Sequence, residues 1–512
     1  MTNINGIASF FKEQIYKRKL LSFFLFSVIL LFALNSEIVK DYAYADAYES
    51  LWTGNTSDSY LNAFIVGGRP LYGYLSVFIF QEVIHTIADL KLLRIFSILC
   101  SSLFGLQLFH FLYKKAKWNT QKAALLSFLV LGLPSFTVFM GWSITYEIPI
   151  GLNLAFLAGR LVYEERKNFL KSLLFYSFSV LLIISALSLY QSSATAFLIP
   201  FVIHFLSNNK KNFNKLFKVA SIYLISFTLY YLIFKYLLTI FDVPPLERSN
   251  IDLEILPSRL IWFFKREFIP LLAANGIILF NTLFKIAGSL LLIIFLIKSI
   301  YKIFRKELSY LNLVFFIIVL PISYLPNLIS VDDWISARTM APVAVIVLIY
   351  QFDAASSIIG KNKYLKYLAI IPIILFLYSA AYNQNYALAG LQAKEYKYLR
   401  HEIENIIEEN PERILIIRPD YNFTINIGYL KRYYSDEIGL ISSSRDWVPI
   451  PLINQIIKEE YGIIDHQKSI NHPIKSNSIV MGTYSNNDST YKNEEGRIFD
   501  IGKLLEAKFR QD

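Results

Sequence analysis

The chain has 512 residues, of which 55% are hydrophobic and 16% aromatic, with a mean hydropathy of +0.43. Charged residues make up 17%, against about 25% in an ordinary soluble domain; this excludes a disordered chain, a nucleic-acid tail protein and an ordinary soluble enzyme. The single cysteine, Cys100, excludes a disulfide framework and a cysteine-ligated zinc site, and it reads as a small apolar residue in a membrane helix.

A transmembrane helix needs about 20 mostly apolar residues. The sequence places eleven spans, near 20–38, 92–113, 123–140, 147–163, 172–189, 193–207, 219–240, 271–297, 309–329, 338–357 and 367–384. The eighth has an alternative form, a short re-entrant segment over 268–283 followed by a span over 284–299. The first apolar run follows Lys17, Arg18 and Lys19 and lacks a small-residue cleavage site, so it reads as a span rather than a signal peptide.

The connectors alternate in chemistry. One set carries Lys17 to Lys19, then Lys114, Lys115 and Lys117, Arg166 and Lys167, Lys210 and Lys211, Lys302, Arg305 and Lys306, and Lys361, Lys363 and Lys366. The other set is rich in carboxylates: Asp41, Asp46, Glu49, Asp58, Glu147, Asp242, Asp332 and Asp333. The positive-inside rule puts the first set in the cytoplasm. Eleven spans then leave the N-terminus inside and the C-terminus outside; the alternative, a twelve-span arrangement, would put the polar tail inside. The net charge of +11 is thus a topogenic signal, not a nucleic-acid footprint.

Residues 385–512 have soluble composition. Lys394 to Glu409 reads as a helix ended by Asn410-Pro411. Arg413 to Arg418 and Ser478 to Met481 read as short strands, and Pro449 to Tyr461 as a second helix. The expected architecture is an all-α polytopic membrane domain over 1–384 and a small α/β extracytoplasmic domain over 385–512.

Polar residues cluster in the first outer loop, from Asp41-Tyr-Ala-Tyr-Ala-Asp46 through Glu49 and Asp58 to Gly67-Gly-Arg69-Pro-Leu71. An amphipathic stretch, Tyr74 to Ile87, is too short to span and suits the membrane interface. The second span opens Leu93-Arg94-Ile-Phe-Ser97; Leu133-Pro134 and Glu147 flank the second outer loop, and Tyr190-Gln191 follows the fifth span. This ordered set resembles the GT-C class of membrane glycosyltransferases, and more narrowly the multi-pass O-antigen glucosyltransferase family first known from serotype-converting phages. The resemblance covers roughly residues 15–390. It departs from the pattern at one point: such enzymes often carry two adjacent acids in the first loop, whereas Ala47 follows Asp46 here. The second carboxylate is then Glu49 or Asp41.

The resemblance implies a bacterial inner-membrane enzyme with a periplasmic C-terminal domain. Its donor would be a sugar, glucose, on undecaprenyl phosphate. Its acceptor would be a lipid-linked or surface glycan such as the O-antigen of lipopolysaccharide, and transfer would invert the anomeric centre. Asp46 is the candidate base, since transfer to a hydroxyl needs a carboxylate within hydrogen-bond reach. Glu147 is the second candidate acid; an acid so near the bilayer usually faces a cavity, although a helix N-terminus also suits it. These two would hold a divalent cation, Mg or Mn, if one is needed; metal dependence stays open. Glu49, Arg69, Arg94, Tyr190, Gln191, Lys265, Arg266 and Arg338 are candidate substrate-binding residues. The arginines and Lys265 suit phosphate recognition, Tyr190 and Gln191 suit sugar hydroxyls, and Arg94 could equally snorkel. Lys235 and Lys285 are further cations within spans, and Asp332-Asp333 reads as a helix N-cap more readily than a metal pair. Of six histidines only His85 is near the first loop, and neither HExxH nor a Gly-rich phosphate loop occurs. The alternatives are an O-antigen polymerase or a lipid-linked saccharide flippase. Transporters usually carry charges within their spans, whereas here the acids collect in loops.

Overall fold

The computed structural model describes residues 2–54, 58–164, 168–207, 213–246, 249–331, 336–360, 363–408, 414–430, 437–461, 479–482 and 497–511. Asp332 and Asp333, and the basic pairs Arg166-Lys167 and Lys210-Lys211, lie outside the described residues.

The chain is a largely helical, polytopic bundle. Among the described residues, five helices are long and apolar enough to cross a membrane: Leu90–Lys115, Phe169–Leu189, Asn214–Ile240, Asn281–Phe304 and Ala341–Ile359. A sixth is obtained if Thr120–Leu131 and Pro134–Gly141, bent by 56°, count as one span. Their outer surfaces are apolar at helical spacing: Leu283, Ile286, Leu290, Ile293 and Ile297 are exposed along one helix, and Leu170, Leu173, Leu174, Phe178 and Leu181 along another. In water such stripes would be costly; against lipid they are matched.

The expectation of a polytopic helical bundle holds; five or six of the eleven expected spans are matched by helices of this length. Of the others, the first lies in the 33-residue helix Thr2–Leu34, which also carries Lys17, Arg18 and Lys19, and the rest are shorter or broken helices. In the third, Pro134 takes the first turn of a new helix after Gly132-Leu133, so the ladder stops. The sixth opens as a 3-10 segment, Gln191–Leu198, before Ile199–Ser207. There Ser193 Oγ donates to the Tyr190 carbonyl at 2.7 Å, and Thr195 Oγ1 to that of Ser323 at 2.7 Å. This segment presses on Gly159, where a Cβ would come within 2.3 Å of the Phe197 carbonyl oxygen. The eighth follows the re-entrant alternative more closely than the single span. Its helix begins at Asn281, after the short helix Phe268–Leu272 and a turn with Phe280 at φ 56°.

The expected interfacial stretch, Tyr74 to Ile87, overlaps the helix Pro70–Glu82, and residues 83–87 follow that helix outside it. Leu71, Tyr74 and Phe78 face outward while Tyr72, Ser76 and Phe80 are buried, a two-sided pattern fit for the membrane surface. In the tail, Ala389–Glu408 and Pro449–Tyr461 are helices. Strand Ile414–Ile417 lies between Ile479–Gly482 and Arg497–Asp500, parallel to both, and the helix Ile501–Gln511 follows. The third strand and last helix were not expected.

Arg94 fixes how the first connector enters this bundle. It is fully buried, and its guanidinium donates to three backbone carbonyls: Ile38 at 2.8 Å, Tyr42 at 2.7 Å and Lys40 at 2.7 Å. It also stacks on the Tyr42 ring at 3.9 Å. Burying a cation is costly unless its donors are matched; here the connector's own backbone matches them. Arg94→Ala would leave the buried Ile38 and Tyr42 carbonyls short of a partner, at about 1–3 kcal/mol each, and release the half-buried one of Lys40. Thermal unfolding of the detergent-solubilised protein should show a clearly lower Tm, with Arg94→Lys recovering only part because an ammonium lacks the planar fork. A wild-type Tm for Arg94→Ala would contradict this role.

Candidate functional site

A cavity of about 310 Å³ opens at one end of the bundle. It is at the small end of the range for ligand pockets. Its walls come from the first connector, from the segments at 67–69, 190–192, 249–251 and 326–330, from Phe227, Tyr230, Tyr231 and Phe234 of the helix Asn214–Ile240, from Trp142, Arg338 and Thr339, and from the tail. Apart from that helix face, these lie in the carboxylate-rich connectors, at the span ends beside them, or in the tail. Of the candidate residues, Asp46, Arg69, Tyr190, Gln191 and Arg338 line it.

Asp46 opens the helix Asp46–Thr53. The residue before it, Ala45, sits at φ 46°, ψ −120°, a conformation that L side chains rarely adopt and that costs about 1–3 kcal/mol. Tail and connector hold it there. Ala45 N–H donates to Ser442 Oγ at 3.0 Å, and Tyr44 Oη to the Glu437 carbonyl at 2.9 Å. The indole N–H of Trp447 donates to Asp46 Oδ1 at 2.8 Å. The Ser442-Ser443 turn is itself anchored: both backbone N–H groups donate to the buried Glu395 carboxylate at 2.8 Å. Burial pushes Glu395 up from the usual carboxylate range, and the serine hydrogen bonds oppose that shift.

Arg69 caps the interfacial helix and lies among the rings of Phe64, Tyr72 and Tyr190, at 5.7, 5.8 and 6.0 Å. No carboxylate among the described residues is within ion-pair distance of it. The turn before it is clasped: Gln191 Nε2 donates to the Gly67 and Gly68 carbonyls, each at 3.0 Å, and Tyr230 Oη donates to that of Gly68 at 2.5 Å. The amide nitrogen of Gln191 is thus committed to the fold. Its carbonyl is the group left for the cavity.

A second structure was not visible in the sequence. Trp447, Arg445, Tyr44, Trp142 and Arg338 form a ladder of three rings and two guanidiniums, with Tyr44 and Trp142 packed ring to ring in the middle. Arg445 lies 5.7 Å from the Trp447 ring and 5.3 Å from that of Tyr44; Tyr44 meets Trp142 at 5.0 Å; Arg338 lies 4.5 Å over Trp142. Guanidinium stacked on aromatic rings is weakly hydrated and keeps its donor edge for anions. Glu437, fully buried, ties the lower end: it accepts from Ser336 Oγ and from Ala337 N–H at 2.7 Å, and lies 3.4 Å from Arg338 Nε. The only trace of this in the sequence is the spacing of cation and tryptophan in Arg445-Asp-Trp447.

The remaining candidates are not brought together here. Glu147 is 2% exposed at the start of the helix Glu147–Tyr163, with Oε2 lacking a hydrogen-bond partner, and it does not line the cavity. Arg94 is committed to backbone carbonyls. Glu49 lies one turn beyond Asp46, on the exposed side; partial covering of its carboxyl and the Asp46 charge push it up from the usual range. Lys265 and Arg266 are exposed on the π-helical turn Phe263–Glu267, away from the cavity lining. Lys235 and Lys285 also lie outside it, and His85 uses its backbone to accept from Gln455 at 3.3 Å. Among the described residues no group of three or more His, Cys, Asp or Glu side chains is placed to hold a metal ion.

No protein-family model matches the chain, and a comparison with curated proteins gives no match. The reading of this site therefore rests on its own residues.

Gly68 is the position where the clasp is tightest. It has φ +71°, and a Cβ would meet Tyr230 Oη at 2.6 Å and Gln191 Nε2 at 2.8 Å. Gly68→Ala should lower the Tm and loosen the turn that presents Arg69, seen as faster proteolysis at 66–70. Unchanged stability and proteolysis would show that the clasp does not constrain this turn.

Proposed function

We propose that the chain is a GT-C-like membrane glycosyltransferase that moves one sugar, glucose, from undecaprenyl phosphate to a surface polysaccharide such as O-antigen, inverting the anomeric centre. The observation that carries the reading is the cavity's charge layout: one carboxylate, Asp46, shares it with three guanidiniums, Arg69, Arg338 and Arg445. That is what transfer from a sugar phosphate requires.

In this reading Asp46 takes the proton of the acceptor hydroxyl. The hydroxyl oxygen attacks the anomeric carbon from the face opposite the phosphate. The bond from that carbon to the phosphate oxygen breaks, and its electron pair leaves with the polyprenyl phosphate. The guanidiniums of Arg69 and Arg338 take up the charge that grows on the leaving phosphate, while Arg445, stacked on Tyr44 and Trp447, adds positive charge to the same cavity. Phe227, Tyr230, Tyr231 and Phe234 form one wall of the cavity, on a helix whose Leu224, Leu229, Leu232 and Ile233 face outward. A lipid donor could place its headgroup in the cavity and its chain along this helix. The carboxylate-rich connectors around the cavity favour the periplasmic face of a bacterial inner membrane. The gathering of charge at one end, rather than along a path through the bundle, favours surface chemistry over a flippase.

The test is transfer by the purified protein, with undecaprenyl-phosphate-glucose as donor and lipid-linked glycan as acceptor. Release of undecaprenyl phosphate should accompany a mass gain of one hexose, where a polymerase would add whole repeat units. Asp46→Asn should lower the rate about 10²–10⁴-fold with an unchanged Tm. A wild-type rate in Asp46→Asn would remove the base role.

A further inference from the structure

Trp447 occupies an unusual position for so large an apolar side chain. It belongs to the tail, yet it lies at the cavity beside Asp46. Its indole N–H is already spent on the Asp46 carboxylate, and Arg445 stacks against its ring at 5.7 Å. Even so the residue is 45% exposed. Since the N–H is bonded, much of what remains open is apolar ring surface. That surface is held next to a carboxylate by a hydrogen bond, by a cation and by a turn anchored on Glu395. It is a rigid, half-open aromatic face with an acceptor oxygen at its edge.

A pyranose ring matches that combination. Its axial C–H groups make an apolar patch that packs on an aromatic face, while its equatorial hydroxyls stay at the rim and donate to a carboxylate. Aromatic side chains with one apolar body and one polar edge suit such amphipathic ligands. A phosphate does not match the same spot, because the indole offers it no second donor and the Asp46 charge repels it. The phosphate-binding chemistry is placed elsewhere in the cavity, on Arg69 and Arg338.

We propose that the open face of Trp447 and the Asp46 carboxylate form a pyranose subsite that seats the acceptor sugar, so that the tail supplies part of the substrate site rather than only a cover for it. This rests on the transferase reading for the word acceptor; the sugar subsite itself is read out by binding alone.

The experiment uses the full chain in nanodiscs with 5-fluorotryptophan in place of its six tryptophans. The Trp447 fluorine resonance is assigned with Trp447→Phe. Methyl β-D-glucopyranoside and undecaprenyl phosphate are titrated in separate arms. The glycoside should move the Trp447 resonance saturably; undecaprenyl phosphate alone should leave it in place. Saturation-transfer NMR on the glycoside then compares variants. Trp447→Ala should weaken binding at least tenfold at a near-wild-type Tm, because the side chain is half exposed. Trp447→Phe keeps a ring face and should retain most of it. A Trp447 resonance that responds to the lipid phosphate and not to the glycoside would overturn the proposal. So would glycoside binding that Trp447→Ala leaves intact. Glycoside binding at Trp447 in a protein without transferase turnover would support the subsite and remove the transferase reading, so the two can fail separately.

Discussion

The buried guanidinium of Arg94 is the constraint from which the site follows. A cation inside an apolar bundle must have its donors met, and among the described residues the carbonyls of Ile38, Lys40 and Tyr42 meet them. That pins the connector as an ordered strap instead of a loose loop. Tyr42 then donates to the Gly141 carbonyl at 2.9 Å, fixing the strap to the bent third segment. Two residues later Tyr44 enters the aromatic ladder, and two after that Asp46 reaches the cavity. Arg94 therefore acts at a distance: it touches no part of the cavity, yet it sets where the carboxylate stands.

The second half of the site arrives from the other end of the chain. The seam between the connector and residues 437–447 is built of specific polar contacts. Tyr44 donates to the Glu437 carbonyl and accepts from Arg445, while Asp46 accepts from Trp447. Glu437 continues the seam to Ser336 and Ala337. A buried carboxylate with this many donors is secure only while all of them are present. The tail and the bundle are thus mutually dependent at this point. The strained Ala45 backbone is the local sign of it, since such a conformation persists only where its surroundings over-determine it.

Much of the helical framework was legible because lipid imposes a length and a composition that a sequence displays directly. The second, fifth, seventh and tenth segments fall where their apolar runs do. What was not legible is where those runs break. The 56° bend at Pro134 falls inside a run that reads as one span, and the 3-10 stretch at Gln191 depends in part on Thr195 bonding to the Ser323 carbonyl, far away in sequence. In the site, Asp46, Arg69 and Arg338 stood out as charges in polar loops beside an apolar bundle. Arg94 stood out for the same reason and has a different task, because a sequence does not reveal whether a guanidinium faces a ligand or a backbone. Arg445 and Trp447 were hidden in a tail of ordinary composition. Their significance comes only from the docking of that tail.

The central claim is that the guanidiniums of one cavity receive the phosphate of a polyprenyl donor. The most direct measurement is a structure of the protein in nanodiscs saturated with undecaprenyl phosphate. The account predicts phosphate density inside the cavity, within hydrogen-bond distance of Arg69 and Arg338, with the lipid chain leaving along the helix that carries Tyr230 and Phe234. Phosphate held instead at the opposite end of the bundle, beside Lys114 and Lys115, or at the exposed Lys265 and Arg266, would contradict it.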